Sequence, residues 1–170
     1  LSSNAYSTIT IGGTNATTLN LGNNVTGGTI TNTPAFRRYQ NSAQSIGNNS
    51  FTKIQFDTET FDTGSFYNNS DNRYLPTVAG KYFFTVAIRL TTATINNYQV
   101  YLYKNGSVHS RIAQHSNNQG NPSLIVTDII TLNGSTDYVE GFVYQSSGSA
   151  DDTNPGSENV FFCGYRLIGA

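Results

Sequence analysis

A chain of 170 residues has room for one ordinary domain plus a short appendage, and enough burial to hold a core without disulfides. Its single cysteine, Cys163 in the apolar run NVFFCGYRLIG, excludes a disulfide framework and a thiolate metal site and reads as a small buried side chain. A net charge of −1 with 11% charged residues leaves no basic surface for nucleic acid or anionic lipid, and no apolar run is long enough to span a bilayer.

We therefore expect no nucleic-acid partner and no membrane insertion. The opening residues lack the charged and apolar regions of a signal peptide, and the chain is expected to be soluble. Methionine is absent, so Leu1 is not expected to be an encoded start. Asn, Thr, Ser and Gly fill most polar positions, a bias toward strands and turns and away from helix.

In chain order, TITIG at 8–12 returns as TLNLG at 18–22, a spacing of ten. A unit this short cannot bury its apolar face alone, so residues 1–33 are expected to form a β-repeat stalk that stacks on copies of itself or on other chains. A flexible Thr/Asn/Gly linker is the alternative. Pro34 marks the junction to a head at 34–170.

Within the head, strands are expected near 35–40, 51–57, 65–67, 80–90, 98–104, 108–114, 123–132, 136–145 and 159–168, a spacing typical of a sandwich or barrel. The clearest is GKYFFTVAIRL at 80–90. Tyr82, Phe84, Val86, Ile88 and Leu90 alternate on one face, while Phe83 and Ala87 interrupt the polar face, so something should cover that second side.

Asn-Gly pairs in KNGS (104–107) and LNGS (132–135) read as tight hairpin turns. The segments 91–97, 115–122 and 146–158 are long and polar. With strands running up and down, these loops gather at one end, opposite the tight turns and the C-terminus.

No catalytic constellation stands out, and no enzyme activity is expected. His109 and His115 lack metal-site spacing, and GxSxG, P-loop and GxGxxG motifs are absent. No cofactor is expected. Asp151, Asp152 and Glu158 in the longest loop are the carboxylates a calcium ion would use, without EF-hand spacing. For a polar ligand at the loop end, Asn96, Asn97, Asn117, Asn118, Gln119 and Asn121 offer paired donors and acceptors, Asp151 and Asp152 add charge, and Tyr98 would present a flat surface to a sugar ring.

The ordered set Phe56, Asp62, Tyr67, Gly80, Tyr82 and Phe84 resembles the signature of the globular heads of the C1q and tumour-necrosis-factor superfamily, with Tyr74 standing where Phe is usual and Val86 where Phe or Tyr is usual. YLYKNG, TDIITLNGSTDYVEGFV and FFCGYRL, the last containing Phe162, Gly164 and Tyr165, look like its later strands. The resemblance covers about residues 34–170. It implies an all-β, ten-stranded jelly-roll sandwich that assembles as a homotrimer, with both termini at its base and the signature residues in core and trimer contacts. Collagen-like triplets are missing, and the Gly-punctuated repeat at 8–22 looks like the trimeric β-structured shafts of viral fibres.

The resulting expectation is a homotrimeric fibre or spike head on a virion surface, structural and host-attaching. Its partners would be a host glycan or protein receptor and, through the stalk, other virion proteins. A bacterial or spore-surface adhesin, or an architectural decoration without a receptor, are the alternatives.

Overall fold

In the computed structural model, which describes residues 33–91, 96–115 and 121–168, the chain is built of strands. In chain order they are β1 (Ala35–Tyr39), β2 (Ser45–Ile46), β3 (Ser50–Lys53), β4 (Thr58–Asp62), β5 (Tyr67–Asn68), β6 (Arg73–Tyr74), β7 (Gly80–Arg89), β8 (Asn97–Lys104), β9 (Ser107–His115), β10 (Ser123–Leu132), β11 (Val139–Gln145), β12 (Asp151–Asp152) and β13 (Phe161–Arg166).

They form a jelly-roll sandwich. One sheet has the order β10-β7-β13-β1-β4. The other has β5-β6-β11-β8-β9, with β3 also pairing β11, and β12 with β2 makes a small third ladder. All these pairings are antiparallel.

The pattern at 80–90 places the core. Tyr82, Phe84, Val86, Ile88 and Leu90 are buried on one side of β7, as the period of two requires. Facing them from the second sheet are Tyr98, Val100 and Leu102 of β8 and Val139 and Val143 of β11. Aromatic rings fill one end of the sandwich: Phe36, Tyr74, Phe84 and Phe162 lie within 4.0 to 6.2 Å of Phe36 or of one another.

Three local features differ from the sequence expectations. The strand expected over 51–57 ends at Lys53, although Ile54 and Phe56 are buried. From there Ile54 N still donates to Gly141 O, but Gln55 N donates to the side-chain Oε1 of Gln44, so a side-chain amide replaces the next rung of the ladder. The strand β4 was not foreseen, because TETFD alternates only weakly.

The Asn-Gly at 133–134 is also not a hairpin turn. β10 pairs β7 and β11 pairs β8, so residues 133–138 cross from one sheet to the other. Asn133 Oδ1 accepts the backbone N–H groups of Ser135, Thr136 and Asp137, making this a side-chain-capped loop. In contrast, Asn105 (φ 52°) and Gly106 (φ 76°) form the expected tight turn between β8 and β9, where two successive left-handed residues favour Asn-Gly.

Residues 1–32 lie outside the described residues, and the stalk expectation falls on them.

Candidate functional site

Register fixes the two ends of the sandwich. Ser123 pairs with Arg89, Asn97 with His115 and Gln145 with Tyr98, so the strand ends that carry the long polar segments share one end. Backbone hydrogen bonds stitch that end together: Leu90 N to Pro122 O (3.0 Å), Thr91 N to Asp152 O (2.9 Å), Ser146 N to Asn97 O (2.9 Å) and Asn154 N to Arg89 O (2.8 Å). At the opposite end Arg166 N donates to Pro34 O (2.8 Å) and Asn105 N to Tyr138 O (3.1 Å). Pro34, just before β1, therefore lies at the end away from the long loops.

Buried amides hold the longest segment. Gln145 Nε2 donates to Ile46 O (3.0 Å) and Ser149 O (2.9 Å), and its Oε1 accepts Ser147 N (2.7 Å). Thr153 Oγ1 donates to Gln40 Oε1, and the Gln40 backbone carbonyl accepts Gly156 N. Gln40, Gln145 and Thr153 are buried and partnered, so the segment is pinned on the sandwich.

Of the residues expected to meet a ligand here, Asn96, Asn121 and Asp152 are exposed, and Asn97 accepts Gln99 Nε2 on its Oδ1 (2.9 Å). Asn117, Asn118 and Gln119 lie outside the described residues.

Two expectations are corrected. Tyr98 offers no surface to a sugar: it is 1% exposed, and its hydroxyl donates to Ile88 O across the sandwich. Burial pushes that hydroxyl's pKa well up. Residue 98 begins a strand whose inward parity runs through Val100 and Leu102, so the ring belongs to the core. Asp151 is likewise only 7% exposed, because β12 turns it inward, where Oδ1 accepts Thr91 Oγ1 (3.0 Å) and Asp152 N (2.8 Å).

The carboxylates a calcium ion would use are not brought together. Asp151 and Asp152 are consecutive strand residues on opposite faces, and Glu158 Oε1 accepts Asn159 Nδ2 (3.3 Å). Among the described residues no three carboxylate, His or Cys side chains converge.

The loop end includes residues that sequence reasoning missed. Asn48 Oδ1 accepts Gly148 N (3.0 Å), and Asn49 Oδ1 accepts the Tyr144 hydroxyl (3.1 Å), so the short 47–49 loop is part of this surface. Its signal in the sequence was only a Gly-Asn-Asn turn.

The second feature is the outer face of the five-stranded sheet. One register row carries Ile125, Ala87, Phe161 and Tyr39, and another carries Ile129, Phe83, Tyr165 and Ala35. Ile125 and Ile129, on the edge strand β10, are 54% and 52% exposed. Phe83 and Tyr165 pack at 5.6 Å between ring centroids, and Arg37 lies 4.7 Å over the Phe161 ring. Cys163 stands between these rows beside Arg37 and Thr85, and burial raises its thiol pKa.

The C1q domain profile matches residues 35–167. The chain belongs to that family.

Solved structures agree on the fold. The C1q-like head is similar to murine APRIL at pH 5.0 (TM-score 0.64, 9% identity, 80% of this chain and 100% of that one). It is similar to the globular domain of the zebrafish complement 1qA protein (0.61, 13%, 81% and 98%) and to the Eiger TNF of S. frugiperda (0.64, 12%, 82% and 96%). No curated protein sequence matches. C1q domains form trimers, bind partners and are generally non-enzymatic and surface-exposed or extracellular. No helix among the described residues is long and apolar enough to cross a membrane.

The signature residues of the C1q-like head have distinct structural tasks. Phe56, Tyr67, Tyr74, Tyr82, Phe84 and Phe162 are buried. Asp62 closes the β4–β5 turn, its carboxylate accepting Gly64 N (3.2 Å) and Tyr67 N (2.8 Å). Gly80 starts β7 beside Arg166, whose Nε donates to Ala79 O. Gly164 lets β13 lie against β7, since a Cβ there would sit 2.5 Å from the Phe84 ring and 2.8 Å from Phe83 O. Tyr165 is on the outer face, away from the core.

Two buried charges were missed, Arg38 and Glu140, the latter paired with Lys53 (2.5 Å). Arg38 is buried with Nε to Phe56 O (3.0 Å), Nη1 to Glu59 (2.8 Å) and its guanidinium 4.6 Å over the Tyr67 ring.

Proposed function

We propose that the chain is a homotrimeric attachment head, carried on a virion fibre or spike, that presents its long-loop end to a host receptor. The observation that carries the trimer is the apolar outer face of the five-stranded sheet, where Ile125, Ile129, Phe83 and Tyr165 leave a contiguous surface on a chain that otherwise buries most of its large side chains. Family membership supports a threefold arrangement over a dimer.

Support for the attachment role is directional. Chain entry at Pro34 and the last strand's end lie opposite the loops, so in a stalked particle the loop end points outward. The Gly-punctuated repeat at 8–22 favours a fibre, and the polar surface around Asn48, Asn96, Asn121 and Asp152 suits a hydroxyl-rich or amide-rich ligand. Single contacts of this kind are weak, so three copies engaging one surface would supply the avidity.

The test exchanges 116–121 and 146–156 for Gly/Ser segments and measures binding to host cells and to a glycan array. Loss of binding by a folded, trimeric variant supports the reading. Binding equal to the parent removes the loop end as the attachment site. Failure of the parent to bind any cell or glycan favours an architectural cap.

A further inference from the structure

The outer face of the second sheet holds a feature that neither the trimer nor the loop end uses. Register sets Lys53, Phe142, Tyr101 and Arg111 in one row across β3, β11, β8 and β9, and Phe51, Tyr144, Gln99 and Ala113 in the next. Alternation along each strand turns both rows to the same side. Phe51 is 55% exposed and packs 5.0 Å from Tyr144 and 5.5 Å from Tyr101, ring centroid to ring centroid.

Amides are interleaved with the rings. Gln99 Nε2 donates to Asn97 Oδ1, Gln99 Oε1 accepts the Tyr101 hydroxyl and Arg111 Nη1 (3.5 Å), and the Tyr144 hydroxyl donates to Asn49 Oδ1.

Charge on this face is unbalanced. Lys53 is neutralised by Glu140 at 2.5 Å, whereas Arg111, exposed on the edge strand, has no carboxylate partner among the described residues. The face thus offers aromatic rings, side-chain amides, and one guanidinium without a carboxylate partner among the described residues, whose planar fork matches a carboxylate.

We propose that this flank is a binding site for an oligosaccharide bearing a carboxylate. One sugar ring stacks its C–H face on Phe51 and Tyr144, a hydroxyl meets Asn97, and the carboxylate of a neighbouring residue meets Arg111. Three strand spacings separate β3 from β9, about 14 Å, a span for a short oligosaccharide rather than a single sugar. The site meets the loop end only at Asn97 and does not rest on the loop-end reading.

The experiment titrates the full chain with short oligosaccharides carrying glucuronate, galacturonate or sialate, with neutral chitohexaose as the control, by calorimetry and by tyrosine fluorescence. At least one acidic oligosaccharide should bind saturably and more tightly than chitohexaose. Arg111→Gln should weaken acidic binding about tenfold, the factor one lost charge-assisted hydrogen bond produces, while Arg111→Lys keeps part of it. Phe51→Ala should weaken binding with no change in oligomeric state by light scattering.

The proposal is overturned if none of the three acidic oligosaccharides saturates at millimolar concentration. It is equally overturned if folded Arg111→Gln and Phe51→Ala bind as the parent does. If Phe51→Ala changes the oligomeric state, the face is an interface between copies and not a sugar site.

Discussion

The ring of Tyr74 lies parallel to that of Phe36, 4.0 Å between centroids and 13° between planes, although the two residues belong to different sheets. Phe36 also meets Phe162 edge-on at 4.8 Å and Phe84 at 6.2 Å, so it sits where the two sheets close on each other. Phe36→Ala should destabilise the head by about 3–5 kcal/mol, since the rings around the cavity are held by two sheets and cannot collapse into it. Phe84→Ala should cost a similar amount. Urea unfolding of the two variants checks this, and a loss under about 1 kcal/mol for either would mean that ring is peripheral.

Tyr67, Tyr74 and Tyr98 are buried, and desolvation raises all three pKa values above the ordinary value of about 10. A phenol whose folded pKa is raised contributes stability that is fully present below its unfolded pKa and is lost as pH rises toward the folded one. Stability should therefore fall with pH above about 10. Spectrophotometric titration should show Tyr67, Tyr74 and Tyr98 ionising only in a cooperative step that coincides with loss of near-ultraviolet dichroism. A single smooth titration of all tyrosines in a still-folded protein would contradict their burial.

Ile129→Glu places a charge in the middle of the proposed subunit interface, beside Phe83 in the register. Because Ile129 is half-exposed in the single chain, the variant should fold with a midpoint near that of the parent protomer. Light scattering should then report a shift from three copies to one. An intact trimer would move the interface away from β10.

Removal of residues 1–33 should leave a folded head. The first strand begins at Ala35, and the Pro34 carbonyl that receives Arg166 N is retained. Truncation removes the hydrogen bond that Thr63 Oγ1 donates to Thr33 O, which lies at the surface and contributes about 1 kcal/mol or less. Equilibrium unfolding of the shortened chain tests this. Failure to fold would make the N-terminal segment part of the core.

Much of the fold could be read locally. The alternation of Tyr82, Phe84, Val86, Ile88 and Leu90 identifies a buried strand face because side-chain direction in a strand depends only on parity. Asn105-Gly106 identifies a hairpin because its two left-handed residues are a requirement of the turn itself. The apolar interruptions at Phe83 and Ala87 pointed to a covered second face, and the structure sets them in rows with Ile129 and Ile125.

The rest depended on partners far away in sequence. Asn133-Gly134 carries the same dipeptide as the hairpin, yet it joins strands of different sheets, since β10 takes β7 and β11 takes β8 as neighbours. Tyr98 looked like a loop-edge ring, but it shares the inward parity of Val100 and Leu102, and its hydroxyl reaches Ile88 O across the sandwich. Arg38 is buried because Phe56 O, Glu59 and the Tyr67 ring surround it, a set that no spacing announces.

The aromatic flank has the same character. Phe51, Gln99, Arg111 and Tyr144 come from four separate strands and share a face only through the register of β3, β11, β8 and β9. The sequence by itself determined the class, the strand faces and the family, because these follow from side-chain parity and an ordered signature along one stretch of chain. Tertiary structure decided which polar side chains meet and which aromatics stay in water, because antiparallel pairing brings together residues whose separation in sequence carries no information about their proximity.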